Sequence, residues 1–383
     1  LDAGSLLFCI FENLLQVFQD RESDVTNLLL RGTGYSDFLT ITLVLLTMDT
    51  QDISASQIKH VQSVYKSILD ISDTYELFQT FSLLLSSTTG KSTFAIKFKA
   101  VVNSQLQQLP YNAPHKDGLH TLIEFVCDLR NQEEIDSEKF EHVANVVLSK
   151  PKSISVVPYF SSIGKQMYDL LVNINRPVVN SCVCFVLEKL WLKNQLIVKD
   201  FFMKLVWLVF SDEATETALN NVINVLISIS KGFSDSIFVD ALFTPILVPL
   251  WLYSTFLKSK AKPTGIVKGI MVSYFSIISN SIVSDATSGS NIDLLVKNLV
   301  SYGGENWEYT IGPNELPQIS LRSNNPETLS ADARVNKFLQ DLDISVLFFI
   351  GLLEDLDNHI VQQEFVIVLE RWLKLNDDTS QIG

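Results

Sequence analysis

Apolar residues recur along this chain at intervals of three and four, which is the spacing of one face of an α-helix. The clearest set is Phe160, Ile163, Met167, Leu170 and Leu171. The pattern predicts roughly 13 to 16 helical segments joined by short polar turns. Strand signals are nearly absent, except in residues 307–321, where short apolar runs alternate with Gly and Pro. An all-α protein is therefore expected.

One pattern occurs twice: an apolar helix end, a short Asx-rich turn, a β-branched pair and a second apolar helix. Residues 170–179 align with 352–361, and residues 186–191 align with 368–373. A lone helical hairpin cannot bury both of its apolar faces, so such units must stack on neighbours. The predicted fold is an all-α, irregular HEAT/ARM-like α-solenoid. The alternative is a compact all-α globule in which the match arises by chance.

Composition excludes several classes of protein. The 383 residues carry a formal net charge of −14, and 19% are charged while 47% are hydrophobic. This balance excludes intrinsic disorder and argues against a protein that binds nucleic-acid backbones or anionic lipid directly. The cysteines lie among apolar residues and are predicted to be reduced core thiols of a cytosolic or nuclear protein. They are Cys9, Cys127, Cys182 and Cys184.

Neither a membrane span nor a secretory signal is expected. The uncharged stretches 241–257 and 269–284 fall short of the roughly 20 apolar residues that a bilayer core requires. The first stretch also contains Pro245 and Pro249, which would leave backbone groups unsatisfied in lipid. The apolar segment 5–18 is interrupted by polar residues and has no basic region before it, unlike a signal peptide.

No catalytic, cofactor-binding or metal-binding residues are predicted, and the chain is not expected to be an enzyme. His115 and His120 flank a stretch of turn composition. Cys182 and Cys184 would point about 200° apart on a helix, so one ion could not bind both. The sequence TGKS at 89–92 lacks the first glycine and the preceding strand of a phosphate-binding loop.

The one concentrated basic run consists of Lys258, Lys260 and Lys262, followed by Lys268. It connects two apolar segments that are predicted to be helices. Two interpretations stay open: a solvated loop between helices, or a docking point for acidic segments of a partner. On the second interpretation, Lys258, Lys260 and Lys262 are the candidate partner-binding residues.

Several segments carry a resemblance to a known family. They are GLHTLIEFV at 118–126, IDSEKFEHVANVVLSKPK at 135–152, YFSSIGKQMYDLL at 159–171, FTPILVPLW at 243–251 and WEY at 307–309. Together they resemble the middle region of the proteins required for nuclear transport of RNA polymerase II. The animal relatives of these proteins are named for transport and Golgi organisation. The resemblance covers about residues 118–321.

The expected organisation has four parts. Residues 1–116 form N-terminal helical repeats, and residues 117–302 form central HEAT-like repeats that resemble the family core. Residues 303–332 form an irregular insertion, and residues 333–383 form a C-terminal HEAT-like hairpin. The first part matches the family in helical character alone, and the C-terminal HEAT region of the family is expected to be absent.

The resemblance implies a non-catalytic adaptor or scaffold that binds RNA polymerase II subunits or subassemblies and supports their cytoplasmic assembly and nuclear import. It implies protein partners: polymerase subunits, import machinery or nucleoporins, and a chaperone complex. No direct nucleic-acid binding and no cofactor are implied. The expected location is the cytoplasm, with shuttling to the nucleus left open. The alternative is a karyopherin-like or vesicle-trafficking scaffold that binds other protein cargo.

Overall fold

This computed structural model describes residues 3–19, 33–49, 53–112, 116–130, 137–279, 291–299, 306–322, 330–363, 365, 366, 369 and 373. The chain divides into two compact units, Leu1–Gln166 and Met167–Gly383. The four-part organisation stays a prediction.

The described residues are mostly helical, which confirms the predicted all-α class. The N-terminal unit contains α1 (Ala3–Gln19), α2 (Thr33–Thr47), α3 (Ala55–Ile71), α4 (Thr74–Ser87), α5 (Thr93–Asn112), α6 (Gly118–Cys127) and α7 (Ser137–Leu148). The division between the units falls within α8 (Val156–Val172).

The C-terminal unit continues with α9 (Pro177–Lys193), α10 (Gln195–Val198), α11 (Lys204–Trp207), α12 (Glu216–Gly232), α13 (Ser236–Phe243), α14 (Leu247–Ser259), α15 (Gly265–Ser279), α16 (Asn291–Lys297) and α17 (Ala331–Asp355). A π-helical turn, Lys199–Met203, joins α10 to α11. Two 3-10 turns, Leu208–Phe210 and Thr244–Ile246, follow α11 and α13. The arrangement of these helices as a HEAT/ARM-like solenoid stays a prediction.

In the N-terminal unit, one buried amide joins three helices. The Gln166 side chain of α8 accepts a hydrogen bond from the Leu119 N–H at 2.9 Å and donates to the Pro110 carbonyl at 2.9 Å. Leu119 lies in the first turn of α6 and Pro110 in the last turn of α5, where backbone groups lack partners within their own helix. A Cβ atom at Gly118 would lie 2.8 Å from the Pro110 carbonyl oxygen, so glycine permits this close approach.

In the C-terminal unit, the first copy of the repeated pattern is a helical hairpin, because α8 ends at Val172 and α9 begins at Pro177. Its turn is held by a helix from further along the chain. The Ser228 hydroxyl of α12 donates to the Leu171 carbonyl at 2.8 Å, and the Asn180 side chain donates to Ser228 Oγ at 3.2 Å. These buried hydrogen bonds tie α12 to the junction of α8 and α9.

The second copy of the pattern also contains a turn between helical segments. Helix α17 ends at Asp355, and residues 358–363 are again helical. Most of the aligned segment 368–373 lies outside the described residues.

The aromatic core of the C-terminal unit includes Trp191, Phe233 and Phe238. The rings of Phe233 and Phe238 stack with centroids 4.0 Å apart, and Trp191 meets Phe238 edge-on at 5.5 Å. Stacked and edge-on ring pairs add to the stabilisation that burial provides.

The predicted core position is confirmed for Cys127, Cys182 and Cys184, which are buried. It is wrong for Cys9, which is exposed. The reason is helical geometry: Cys9 lies two positions from the buried Phe11, on the other side of α1.

A β-hairpin interrupts the helices where the sequence suggested strands. Strands β1 (Trp307–Ile311) and β2 (Pro317–Leu321) pair antiparallel, with Trp307 opposite Leu321. Ala214 and Ile319 exchange backbone hydrogen bonds of 3.0 and 2.9 Å, so the segment before α12 lies along β2.

The segment Ser236–Ser259, which contains α13 and α14, is long and apolar enough to cross a membrane by length and composition, and 56% of its most apolar stretch is buried inside the protein. Buried core helices of globular proteins meet the same criteria. The absence of a membrane span stays a prediction.

Candidate partner-binding surface

The β-hairpin is attached to the helices through a buried carboxylate. Glu216 lies in the first turn of α12 and is only 6% exposed. Its carboxylate accepts hydrogen bonds from the Asn314 N–H at 2.9 Å, the Asn314 side-chain amide at 2.6 Å and the Leu316 N–H at 3.1 Å. The turn of the hairpin is therefore organised around one side chain from the first turn of α12.

The same hydrogen bonds determine the ionisation of Glu216. Burial by itself raises the pKa of a carboxyl group, but the donors on Asn314 and Leu316 stabilise the charged form more strongly. The net result is that the pKa of Glu216 is lowered. The position of Glu216 at the helix N-terminus also favours the anion.

Aromatic contacts attach the other side of the hairpin to α14. The Tyr309 hydroxyl donates to the Pro249 carbonyl at 2.9 Å, and its ring lies 5.2 Å from the Tyr253 ring and 5.8 Å from the Phe256 ring. Trp307, at the start of β1, is 1% exposed. Because α12 and α14 each hold a different part of the hairpin, it is an integral part of the C-terminal unit.

The predicted basic run lies beside this hairpin. We call residues 258–262, at the end of α14, the lysine turn. Ala261 adopts a left-handed φ of 52°, and the Lys262 N–H returns to the Leu257 carbonyl at 2.9 Å. This hydrogen-bond pattern satisfies carbonyls at a helix C-terminus, and positive lysine side chains are favoured at that end.

The candidate lysines differ in their surroundings. Lys258 and Lys260 are exposed, and the Lys260 ammonium lies 5.9 Å from the centre of the Phe256 ring. Lys262 is half-buried, and its ammonium donates to the Glu315 carbonyl in the hairpin turn at 2.8 Å. Lys268 forms an ion pair of 2.6 Å with Asp355. Of the three candidate residues, Lys258 and Lys260 are thus the more accessible, while Lys262 joins the lysine turn to the hairpin.

A second surface feature is an apolar stripe on α17. Val335, Leu339 and Val346 are 56%, 50% and 37% exposed. Their spacing places them on one side of the helix. In folded proteins a stripe of this kind is normally covered by another helix or by a partner protein.

The described residues contain no group of three or more His, Cys, Asp or Glu side chains that could hold a metal ion. His115 lies outside those residues, and His120 is 3.9 Å from Glu124 on α6. Burial raises the pKa of the Cys184 thiol to about 12, with a smaller contribution from Glu188. A thiol with such a high pKa is a poor nucleophile at neutral pH.

The residues that organise this surface were not among the sequence-based candidates. Glu216 and Asn314 lie 98 positions apart, and neither belongs to a recognisable motif. The one available signal was the Gly312-Pro313-Asn314 turn sequence between two apolar runs, which indicates a hairpin. That signal does not reveal which acid binds the turn.

No protein-family model matches the chain, and no solved structure matches it. The chain is similar to the RNA polymerase II assembly factor RTP1 of Saccharomyces cerevisiae. The two are 29% identical over 416 aligned positions, which cover 97% of this chain and 41% of the relative. The chain therefore spans about 41% of the length of that curated relative. This similarity supports the family resemblance that the sequence segments suggested, and it extends over nearly the whole chain.

Proposed function

We propose that this chain is a non-catalytic, protein-binding α-solenoid that binds RNA polymerase II subunits or subassemblies and supports their assembly. The observation that carries the proposal is the similarity to an RNA polymerase II assembly factor over 97% of the chain. We further propose that assembly takes place in the cytoplasm and is coupled to nuclear import, with import machinery or nucleoporins and a chaperone complex as additional partners.

The physical properties of the described residues support a binding role. Helix α17 leaves an apolar stripe exposed. In proteins built from helical hairpins, such a stripe provides a surface on which a neighbouring hairpin or a partner protein packs. An extended surface of this kind binds through many moderate contacts and a few strong ones, so it needs no catalytic group.

In this proposal, Lys258 and Lys260 contact acidic segments of the partner. Both are exposed, and the segment that carries them is held in place by the Lys262 hydrogen bond to the hairpin turn. Charged side chains at the rim of an interface mainly raise the association rate and the specificity. The lysine turn therefore orients an acidic partner on a chain that is otherwise strongly negative.

Affinity purification tests the proposed partners. The tagged chain, expressed in cells and purified under gentle conditions, should recover RNA polymerase II subunits that mass spectrometry identifies. Failure to recover any polymerase subunit would contradict the assembly role. Recovery of coat proteins or of unrelated import cargo in their place would favour a trafficking or karyopherin-like scaffold.

Charge reversal tests the lysine turn. The double variant Lys258→Glu/Lys260→Glu should recover less polymerase, and the loss should grow as the ionic strength is lowered. A matched control is Lys193→Glu/Lys231→Glu, which reverses two lysines in the last turns of α9 and α12. Equal recovery with both double variants would remove the lysine turn from the interface.

Depletion tests the coupling to import. If the chain supports cytoplasmic assembly and nuclear entry, its loss should cause a fluorescently tagged polymerase subunit to accumulate in the cytoplasm. Re-expression should restore nuclear localisation. Unchanged localisation together with normal copurification would leave an assembly role and exclude the import role.

A further inference from the structure

A preformed cleft lies between α11 and α14 in the C-terminal unit. Its volume is about 430 Å³, and its apolar walls are formed by Trp207, Phe210, Pro245, Val248, Pro249 and Leu252. Binding sites for small groups or anchor side chains usually have volumes of about 300–1,000 Å³ and mostly apolar walls.

Hydrogen bonds hold two walls of the cleft in place. The Trp207 indole N–H donates to the Leu242 carbonyl at 2.9 Å, which fixes the ring. The Pro249 carbonyl accepts from the Tyr309 hydroxyl at 2.9 Å, which ties the opposite wall to the β-hairpin. A site that is rigid before binding loses little conformational entropy when a ligand enters.

The charges next to the cleft are mostly negative. The two wall segments with their flanking residues, 205–213 and 240–258, contain three acids, Asp212, Glu213 and Asp240, and one base, Lys258. Asp212 follows Ser211, which also lines the cleft, and Asp240 accepts hydrogen bonds from Thr244, next to Pro245, and from Tyr274 and Asn291. The preceding basic residue, Lys204, forms an ion pair of 2.6 Å with Asp200. A ligand whose charge complements these acids is therefore positively charged.

We propose that this cleft binds a short basic segment of a partner protein, in which one aromatic or large aliphatic side chain enters the cleft and lysine or arginine residues flank it. Large apolar anchors that fill a pocket supply most of the affinity in such interactions. The acidic residues beside the cleft supply the charge preference. This inference does not depend on a role in polymerase assembly, because it rests on the cleft and its charges alone.

A peptide library tests the proposal. The probe is a set of seven-residue peptides that is presented to the whole chain. Each peptide has lysine or arginine at both ends, and its three central positions are varied over all the amino acids. A second library carries glutamate at both ends. Selected peptides from the basic library should be enriched in Phe, Trp, Leu or Met at a central position, and their binding should weaken as salt is added. Selection from the acidic library with equal strength, or no enrichment of apolar anchors, would overturn the proposal.

A matched pair of variants locates the binding site. Ser211 and Ser87 are both exposed serines at helix C-termini, and the hydroxyl of each donates to the carbonyl three residues earlier. Ser211 lines the cleft, whereas Ser87, the last residue of α4, does not. Ser211→Trp should block the cleft and reduce the affinity of a selected peptide about tenfold or more, whereas Ser87→Trp should leave it unchanged. Asp212→Lys should weaken binding without filling the cleft.

Circular dichroism spectra of the three variants establish that they fold. Equal peptide affinity for Ser211→Trp and the unsubstituted chain would place the peptide elsewhere and refute the proposal. Sedimentation in the absence of peptide supplies a further test. Self-association that Ser211→Trp abolishes would identify a second copy of the chain as the occupant and would also refute it.

Discussion

Asn314 donates two hydrogen bonds to Glu216, one from its backbone N–H at 2.9 Å and one from its side-chain amide at 2.6 Å. The two residues are separated by 98 positions in the chain. This contact attaches the one described β-hairpin of an otherwise helical unit to the start of α12. Together with the Tyr309 contacts to α14, it holds the hairpin beside the lysine turn.

Replacement of Glu216 by alanine should release the hairpin turn. The N–H groups of Asn314 and Leu316 would lose their acceptor, so the backbone amides of residues 307–321 should exchange with solvent faster. Hydrogen–deuterium exchange with mass spectrometry measures the effect. Glu354→Ala, a change at an exposed acid of α17, is the control. Unchanged exchange in Glu216→Ala would mean that the aromatic contacts to α14 hold the hairpin without the carboxylate.

Attachment of the hairpin should depend on pH in a defined direction. The folded pKa of Glu216 is lowered from its ordinary value of 4.5, because the donors on the turn outweigh the effect of burial. The contribution of the charged form is thus complete above about pH 4.5, the unfolded-state value, and is lost as the pH falls through the lower folded-state value.

The pH dependence of the hairpin attachment is measured by the amide exchange of residues 307–321, corrected for the intrinsic pH dependence of exchange. Protection should decrease in acid in the unsubstituted chain. In Glu216→Gln, which cannot ionise, the acid-dependent step should disappear. An identical step in both proteins would assign it to another acid.

Two glycines in the C-terminal unit should respond oppositely to alanine. A Cβ atom at Gly312 would lie 2.6 Å from the Glu216 Cδ atom, whereas a Cβ at Gly269 in α15 meets no atom within 4 Å. Gly312→Ala should lower the free energy of unfolding by about 1–3 kcal/mol through overpacking. Gly269→Ala should raise it by about 0.5–1 kcal/mol, because alanine is the better helix former. Chemical denaturation measures both, and equal shifts would contradict the close approach at Gly312.

Gln166 should be a strong determinant of stability in the N-terminal unit. Gln166→Ala leaves the buried Leu119 N–H and the Pro110 carbonyl without their partner, which should cost about 1–3 kcal/mol. Gln79→Ala on the exposed side of α4 is the control and should change the free energy of unfolding by less than about 0.5 kcal/mol. Similar denaturation midpoints for the two variants would contradict a structural role for the Gln166 amide.

Much of the secondary structure could be predicted because its signals are local. The apolar spacing around Phe160 and Met167 indicates α8. The short apolar runs of residues 307–321, which alternate with Gly and Pro, are the strand signal at the place where the hairpin forms, although the region was expected to be an irregular insertion. The Cys9 prediction failed for a related reason: an apolar neighbourhood does not specify which side of a helix faces the core. In the folded helix α1, Phe11 takes the buried position, so the Cys9 thiol is exposed.

The candidate surface was predicted less completely. The basic run at Lys258, Lys260 and Lys262 was recognised from composition, yet the three side chains have different environments. Lys262 binds the Glu315 carbonyl, a group 53 positions away, while Lys258 and Lys260 are exposed. Charge counting treats the three as equivalent, because it contains no information about which backbone carbonyl a folded turn presents.

The order of amino acids is sufficient to indicate a helical protein with strand signals in residues 307–321 and a likeness to the polymerase transport and assembly family, because periodicity and sequence similarity are read along the chain. The attachment of the hairpin by Glu216, the separate environments of the three lysines and the cleft beside Trp207 emerge only in the folded molecule. Each depends on groups brought together from distant positions, and hydrogen bonds and packing act over a few ångströms of space, whatever the separation along the chain.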